Sequence, residues 1–357
     1  MGKESSVHII DIDGELKKLW DEQKHEKKIK ACLLTLIIYT RDDVRGDYLR
    51  EINRSIIKEF PCRIISITEL GEDVTNVLTT EVSQHTSLEG GTLIASDQIT
   101  IRASSEYIER IPFIVLPEIV PDLPVYSIWG APVSPSNALL TELEKASTKV
   151  IFDAESSPPL SAFSKVLYQK LGKVPCGIAD IHWAIAAGWR ECFYQAFNRE
   201  EGMRFLETVN KVKVTFNDTE AKTLPARDTL SWYFQAWLAG RMRWTLLKTD
   251  HAKRETSYQS KSGVVSLQIV PEKNPKFHSS SILTIELTNP SGDSYIFTRH
   301  PDWDKVVVHV TRKNTCELPF VFPYPDFSRG SNFMRELFFQ AESDHYKRTL
   351  EKLSELS

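Results

Sequence analysis

No GxGxxG, GxxxxGK(S/T), HExxH or GxSxG lies anywhere in the 357 residues. Those patterns seat a phosphate on glycine backbone, a zinc ion on a helix face, or a serine nucleophile on a strained turn, so none of these chemistries has a sequence signal here. Cysteine is scarce and badly spaced for metal or disulfide work. Cys32, Cys62, Cys176, Cys192 and Cys316 make an odd count with no CxxC pair, which argues against a zinc site or a disulfide framework. Cys32 and Cys62 border apolar, strand-like runs and read as inert thiols. An excess of positive charge is also missing. Lys and Arg number 44 against 48 Asp and Glu, a net charge of −4, which argues against a nucleic-acid surface. The longest apolar runs are LLTLIIY (33–39) and FIVLPEIV (113–120), far short of the roughly 20 residues that span a bilayer. MGKESSVHIIDIDGE at the start has no apolar h-region. A soluble, cytoplasmic protein is therefore expected.

What is present alternates. ACLLTLIIYT (31–40) reads as a strand covered on both faces. DYLREINRSIIKEF (47–60) has helical spacing at Tyr48, Ile52, Ile56 and Phe60, and CRIISIT (62–68) is a second strand. Strand, helix and strand in succession predict a parallel crossover. NVLTTEVS (76–83) and TLIASDQITIRAS (92–104) read as further strands split by a Gly90-Gly91 turn, followed by a strand at VYSIW, a helix at 136–146 and a strand at 149–154. SSPP (156–159) is the boundary signal. Beyond it come helices, a strand at 211–218 and an aromatic helix at 227–244. A polar loop is expected at 250–263, then a meander of four short strands and one long C-terminal helix from Asn332. The expected fold is α/β. An N-terminal three-layer α/β domain with a mostly parallel sheet (1–157) precedes an α+β domain with an antiparallel sheet and a long C-terminal helix (158–357).

Two stretches invite chemistry. DIDGE (11–15) follows an apolar strand, the placement haloacid-dehalogenase-type phosphatases use for a nucleophilic Asp and a general acid. Asp11 and Asp13 would then serve a Mg²⁺-dependent phosphatase. The plainer reading, which we prefer, makes Asp13 the cap of a helix over 13–28. In ADIHWAIAAGWRECFYQAF (179–197), Ile181, Ile185, Trp189, Cys192, Phe193, Ala196 and Phe197 form a wide apolar arc. Asp180 takes the N-cap and starts a narrow exposed stripe with Ala184, Glu191 and Gln195. Trp183, Arg190 and Tyr194 share one margin. That composition suits a docking edge, although Arg190 stacked on Trp183 inside the fold is the plainer expectation.

The same stretch is similar to the D-(L/I)-x-W-x5-W-R signature of the glucose-6-phosphate dehydrogenase assembly protein family, also called OpcA. Other segments resemble the family in the same order: ACLLTLIIYT, QITIRAS, VLPEIVPDLPVYSIW, FQAWLAGRMRW and LFFQAESDHYKRTL. The resemblance implies a non-catalytic accessory subunit without a cofactor of its own. Its partner would be glucose-6-phosphate dehydrogenase, whose active oligomer it would promote and which it would activate allosterically. The matching positions are Pro121, Asp122, Leu123 and Pro124, then Asp180, Trp183, Trp189 and Arg190, then Trp237, Arg241 and Trp244, read as scaffold or interface. The chain departs from the family at His182 and Ile185, where Asn and Arg are usual. No cysteine aligns with redox-control positions. A sugar-phosphate-binding regulator, with its ligand at the strand ends of the α/β domain, is the remaining alternative.

Overall fold

The computed structural model describes residues 6–8, 10–22, 28–89, 92–134, 137–220, 227–312, 315–324, 333–339 and 342–356. The chain forms two units. One comprises Met1–Ser157, Lys170–Asp180 and Arg329–Phe338. The other comprises Pro158–Gln169, Ile181–Ser328 and Phe339–Ser357.

The first unit runs β1 (Ser6–His8), α1 (Ile12–Glu22), β2 (Lys28–Lys30), β3 (Thr35–Arg41), α2 (Val44–Glu59), β4 (Arg63–Glu69), β5 (Val77–Glu89), β6 (Thr92–Ala103), α3 (Ile111–Val115), β7 (Val125–Gly130), α4 (Ala138–Ala146), β8 (Lys149–Phe152) and β9 (Gly177–Asp180). Six strands pair in parallel in the order β6-β4-β3-β7-β8-β9. β5 folds back antiparallel on β6; the Gly90-Gly91 turn expected between them lies outside the described residues. Every residue of β7 and β8 is buried, as is all of β3 except Arg41. That is why these strands read as unbroken apolar runs rather than alternating ones. Helix α1 begins at Ile12, one residue earlier than expected, and residues 23–27 of its expected length lie outside the described residues. Near the C-terminus, Phe338 stacks on Tyr126 at 4.4 Å, and Lys149 Nζ donates to the Phe338 carbonyl at 3.0 Å.

The second unit runs α5 (Leu160–Lys170), α6 (Ile181–Ile185), α7 (Ala187–Phe197), α8 (Glu200–Thr208), β10 (Lys211–Asn217), α9 (Thr229–Met242), β11 (Thr245–Asp250), β12 (Glu255–Ser260), β13 (Gly263–Glu272), β14 (Ile282–Thr288), β15 (Ser294–Arg299), β16 (Lys305–Arg312), β17 (Thr315–Cys316), β18 (Phe320–Pro323) and α10 (Asp344–Glu355). The sheet order is β11-β12-β13-β10-β14-β15-β16-β17, with β18 also on β16. All its pairings are antiparallel except β10 with β13. Two expectations change here. The polar segment at 250–263 is a strand hairpin rather than a loop: Thr256 and Tyr258 point into the core while Glu255 and Gln259 face out. Its alternation is hidden because one inward residue is threonine. The C-terminal helix is also not continuous. Arg335–Phe339 forms a separate π-helical turn, and Ser343, whose hydroxyl accepts from the Tyr346 amide at 3.1 Å, starts α10 afresh.

Candidate functional site

A strand order that runs outward from β3 to β4 and β6 on one side, and to β7, β8 and β9 on the other, is the doubly wound order of dinucleotide-binding domains. Such folds bind ligand outside the carboxyl ends of the strands where the order reverses, here between β3 and β7. The turn at that place is Arg41-Asp42-Asp43-Val44-Arg45-Gly46. Gly46 keeps the packing duty of the last glycine of a G-x-G-x-x-G turn, since a Cβ there would lie 2.0 Å from the Arg41 carbonyl oxygen. Arg41 and Asp43 stand at the other two glycine places. Asp43 Oδ1 accepts from the Gly46 amide at 2.7 Å, so an internal carboxylate fills the helix N-terminus that would otherwise receive a pyrophosphate.

Beside it, Arg45 is clamped. Its Nε and Nη2 donate to both carboxylate oxygens of Asp153 at 2.7 and 2.5 Å, and its Nη1 donates to Glu155 at 2.6 Å. The Asp153 side chain has no exposure and that of Arg45 has 13%. Burial opposes the arginine's charge, but the two carboxylates more than offset it and hold its pKa above the ordinary value. Arg45 also lies 4.2 Å from the Tyr48 ring, and Tyr39 stacks on Trp129 at 4.3 Å across β3 and β7. Glu69 ends β4, the place of the acid that holds a ribose in such folds. It is already taken by Tyr39 Oη at 2.6 Å, Ser105 Oγ at 3.1 Å and Arg41 at 3.3 Å. Burial and then this bond raise the Tyr39 pKa. The residues present do not fit a dinucleotide.

DIDGE folds differently from either expectation. Asp11, not Asp13, caps α1: its Oδ1 accepts from the Gly14 amide at 3.1 Å, and its carbonyl accepts from Glu15 N at 2.9 Å. Gly14 carries the signal for this, because a Cβ there would lie 2.4 Å from the Asp11 carboxylate. Asp13 is exposed in the first turn. The preceding strand β1 lies at one end of the sheet, on β5. Among the described residues no three His, Cys, Asp or Glu are grouped to hold a metal ion.

The helical stretch divides at Ala186 into α6 and α7. Ile181, Trp189, Cys192, Phe193 and Phe197 are buried. Burial pushes the Cys192 thiol up to about 12, and that of Cys62 likewise to about 12. Asp180 and Ala184 do not form an exposed stripe. Asp180 ends β9 opposite Phe152 and is fully buried, because the sheet rather than solvent receives it. Arg190 lies over the Trp183 ring at 3.6 Å and donates to the Trp183 carbonyl. Trp183 in turn meets Tyr346 at 5.2 Å, while Tyr194 is 61% exposed.

Trp244 is buried near Tyr258, at 6.0 Å, after Arg243 turns the chain through a left-handed C-cap with φ 56°. Arg241 is exposed, with Nη1 3.3 Å from His345 Nε2. Pro121, Asp122 and Pro124 sit at the amino end of β7, opposite the switch-point crevice. Asp122 has φ 64°, and the Pro124 carbonyl accepts from Thr35 N. The candidate residues therefore separate into a turn under one sheet, and an Arg190–Trp183 pair and Arg241 around α9 and α10.

Sequence reading missed Arg45, Asp153 and Glu155, which lie 108 and 110 positions apart. It also missed His345 and Arg348. No local pattern marks any of them. It missed buried Asp97 too, which accepts from Trp20 Nε1 at 2.7 Å and Arg63 at 2.8 Å and pairs with Lys30 at 3.1 Å.

Residues 53–167 match the glucose-6-phosphate dehydrogenase subunit N-terminal domain, and residues 176–350 match the C-terminal domain of the same subunit. A protein of Synechococcus elongatus named as OxPP cycle protein OpcA is 26% identical over 267 residues, 71% of this chain and 57% of the relative. A protein of the same name from Nostoc punctiforme is 27% identical over 208 residues, 57% of this chain and 40% of the relative. The chain thus spans about half the length of the curated relatives it matches. Among solved structures, a 3-ketoreductase from Actinomadura kijaniata in complex with TDP-benzene and NADP covers 90% of this chain and 95% of its own, at 10% identity and a TM-score of 0.50. That likeness concerns the fold alone. With both domain profiles matched in order across most of its length, the chain belongs to the glucose-6-phosphate dehydrogenase subunit family, OpcA.

Proposed function

We propose that this chain is a non-catalytic accessory subunit of glucose-6-phosphate dehydrogenase. It docks on the enzyme in the cytoplasm, promotes its active oligomer and raises its activity. Family membership supports the partner. The observation that carries the non-catalytic reading is the switch-point turn, where Asp43 and the Arg45–Asp153–Glu155 cluster stand in the seat of a dinucleotide. A dehydrogenase-like fold without that seat has no place for a hydride carrier. The nicotinamide cofactor then belongs to the partner.

Activation requires tighter binding to the active conformation or oligomer than to the inactive one, since equal binding shifts nothing. A coupling of about 1–3 kcal/mol changes the partner's affinity or population several-fold or more. The test mixes this chain with the dehydrogenase from the same source at micromolar concentrations. Co-elution on gel filtration and a rate that rises to saturation with added chain are expected. The chain alone oxidises no sugar phosphate. Separate elution together with an unchanged rate would refute the proposal.

A further inference from the structure

Helix α9 is buried on nearly every side from Leu230 to Gly240. Its first outward cation is Arg241, in the last turn. Gly240 then does something specific. A Cβ there would lie 3.3 Å from Arg348 Cβ and 3.4 Å from the Arg348 carbonyl oxygen, so α9 and α10 touch backbone to backbone at this point. That approach brings the end of α9 against the first turns of α10. There Tyr346, Thr349, Leu350 and Leu353 face inward, His345 stands beside Arg241, and Arg348 packs on Gly240. Arg241 Nη1 stands 3.3 Å from His345 Nε2.

Several arginines elsewhere pair with carboxylates, Arg45 with Asp153, Arg63 with Asp97, Arg254 with Asp228 and Arg312 with Glu317. Among the described residues, neither Arg241 nor Arg348 has a carboxylate within ion-pair distance. A guanidinium cannot shed its proton, so both arginines keep their charge at this surface and can offer it to an anion. His345 registers that field. Burial first, and then the charges of Arg241 and Arg348, with Arg190 adding to them and Asp344 opposing, hold its pKa below the ordinary value. A neutral imidazole beside Arg241 orients the guanidinium without consuming its charge. A helix C-terminus alone would favour one cation here, which explains Arg241 but not Arg348 or the histidine.

We infer that Arg241, Arg348 and His345 form an oxyanion-binding site at the junction of α9 and α10, built for a phosphate monoester or for a carboxylate presented by a docked protein. Planar guanidinium forks recognise both groups by paired, charge-assisted hydrogen bonds. The site stands whether or not the dehydrogenase is the partner, and its test needs no dehydrogenase.

Inorganic phosphate and a hexaglutamate peptide are each titrated calorimetrically into the full chain at constant ionic strength. Saturable binding of one or both is expected. Arg241→Gln and Arg348→Gln should each weaken it about tenfold, the loss of one charge-assisted contact. Arg243→Gln, next along but outside the cluster, should leave it unchanged, and thermal melts confirm that the variants fold. Binding of phosphate identifies a phosphorylated ligand; binding of the peptide alone identifies a carboxylate source. The inference is overturned if neither probe binds saturably, or if folded Arg241→Gln and Arg348→Gln variants bind as the wild type does.

Discussion

Replacing Arg45 by Met tests the account of the switch-point turn most directly. The thioether fills much of the arginine stem's volume and removes its charge, leaving Asp153, whose side chain is fully buried, and Glu155, at 8% exposure, without their common cation. Two unit charges about 4 Å apart near a protein surface interact by roughly 4 kcal/mol. Breaking a buried pair from one side costs about 3–5 kcal/mol because the remaining charge is uncompensated. The contact with Tyr48 at 4.2 Å adds about 0.5–1 kcal/mol. A loss of about 4 kcal/mol is therefore expected. The pair is asymmetric: Asp153→Asn leaves Arg45 with Glu155, so it should cost only about 1–3 kcal/mol. In the double variant Arg45→Met/Asp153→Asn the fully buried Asp153 charge is gone and only that of Glu155 is left, so its total should fall short of the two single losses added together. Hydrogen exchange of amides in β3, α2 and β8 reads the effect where it arises, which a global melt of a two-unit chain does not. A loss below about 1 kcal/mol for Arg45→Met, or simple additivity in the double variant, would refute the claim that this cluster holds the turn shut.

Three further outcomes are expected. Trp189→Ala should destabilise the second unit by about 3–5 kcal/mol, as for other fully buried aromatics. Arg190→Ala loses its stacking on Trp183 and should cost nearer 1 kcal/mol; denaturant titrations of the two variants separate core from margin, and if Arg190 touches the dehydrogenase its variant also loses activation. Asp11→Ala should cost about 1 kcal/mol and Asp11→Asn almost nothing, whereas Asp13→Ala should cost less than Asp11→Ala; the opposite order in urea titrations would return the cap to Asp13. Burial opposes the charge of Asp97, but Arg63, Trp20 and Lys30 hold its pKa below the usual carboxylate range. A depressed folded pKa contributes stability that is present above the unfolded value, about 3.9, and is lost as pH falls below it. Asp97→Asn should flatten the acid limb of the first unit's stability curve, followed by hydrogen exchange.

Sequence by itself determined the elements whose burial is uniform or cleanly periodic. Strands β3, β7 and β8 declared themselves because both faces are covered, and α7 did so because its arc through Trp189 and Phe193 is buried as the 3.6-residue period requires. The family was legible too, since W-x5-WR and PDLP are contiguous patterns. Where signal and structure parted, the cause was tertiary. Asp11 took the cap from Asp13 because Gly14 makes room for its carboxylate. The hairpin through Tyr258 hid behind threonine and serine, and the C-terminal segment broke where Ser343 offered a better helix start than continuation did. Only the folded chain could close the switch point, because Arg45 finds its partners more than a hundred residues away. The meeting of Arg241 with His345 and Arg348 was likewise invisible, since it depends on one glycine letting two helices touch. Local pattern follows from backbone periods and turn chemistry; the charge clusters follow from which distant surfaces that packing brings together.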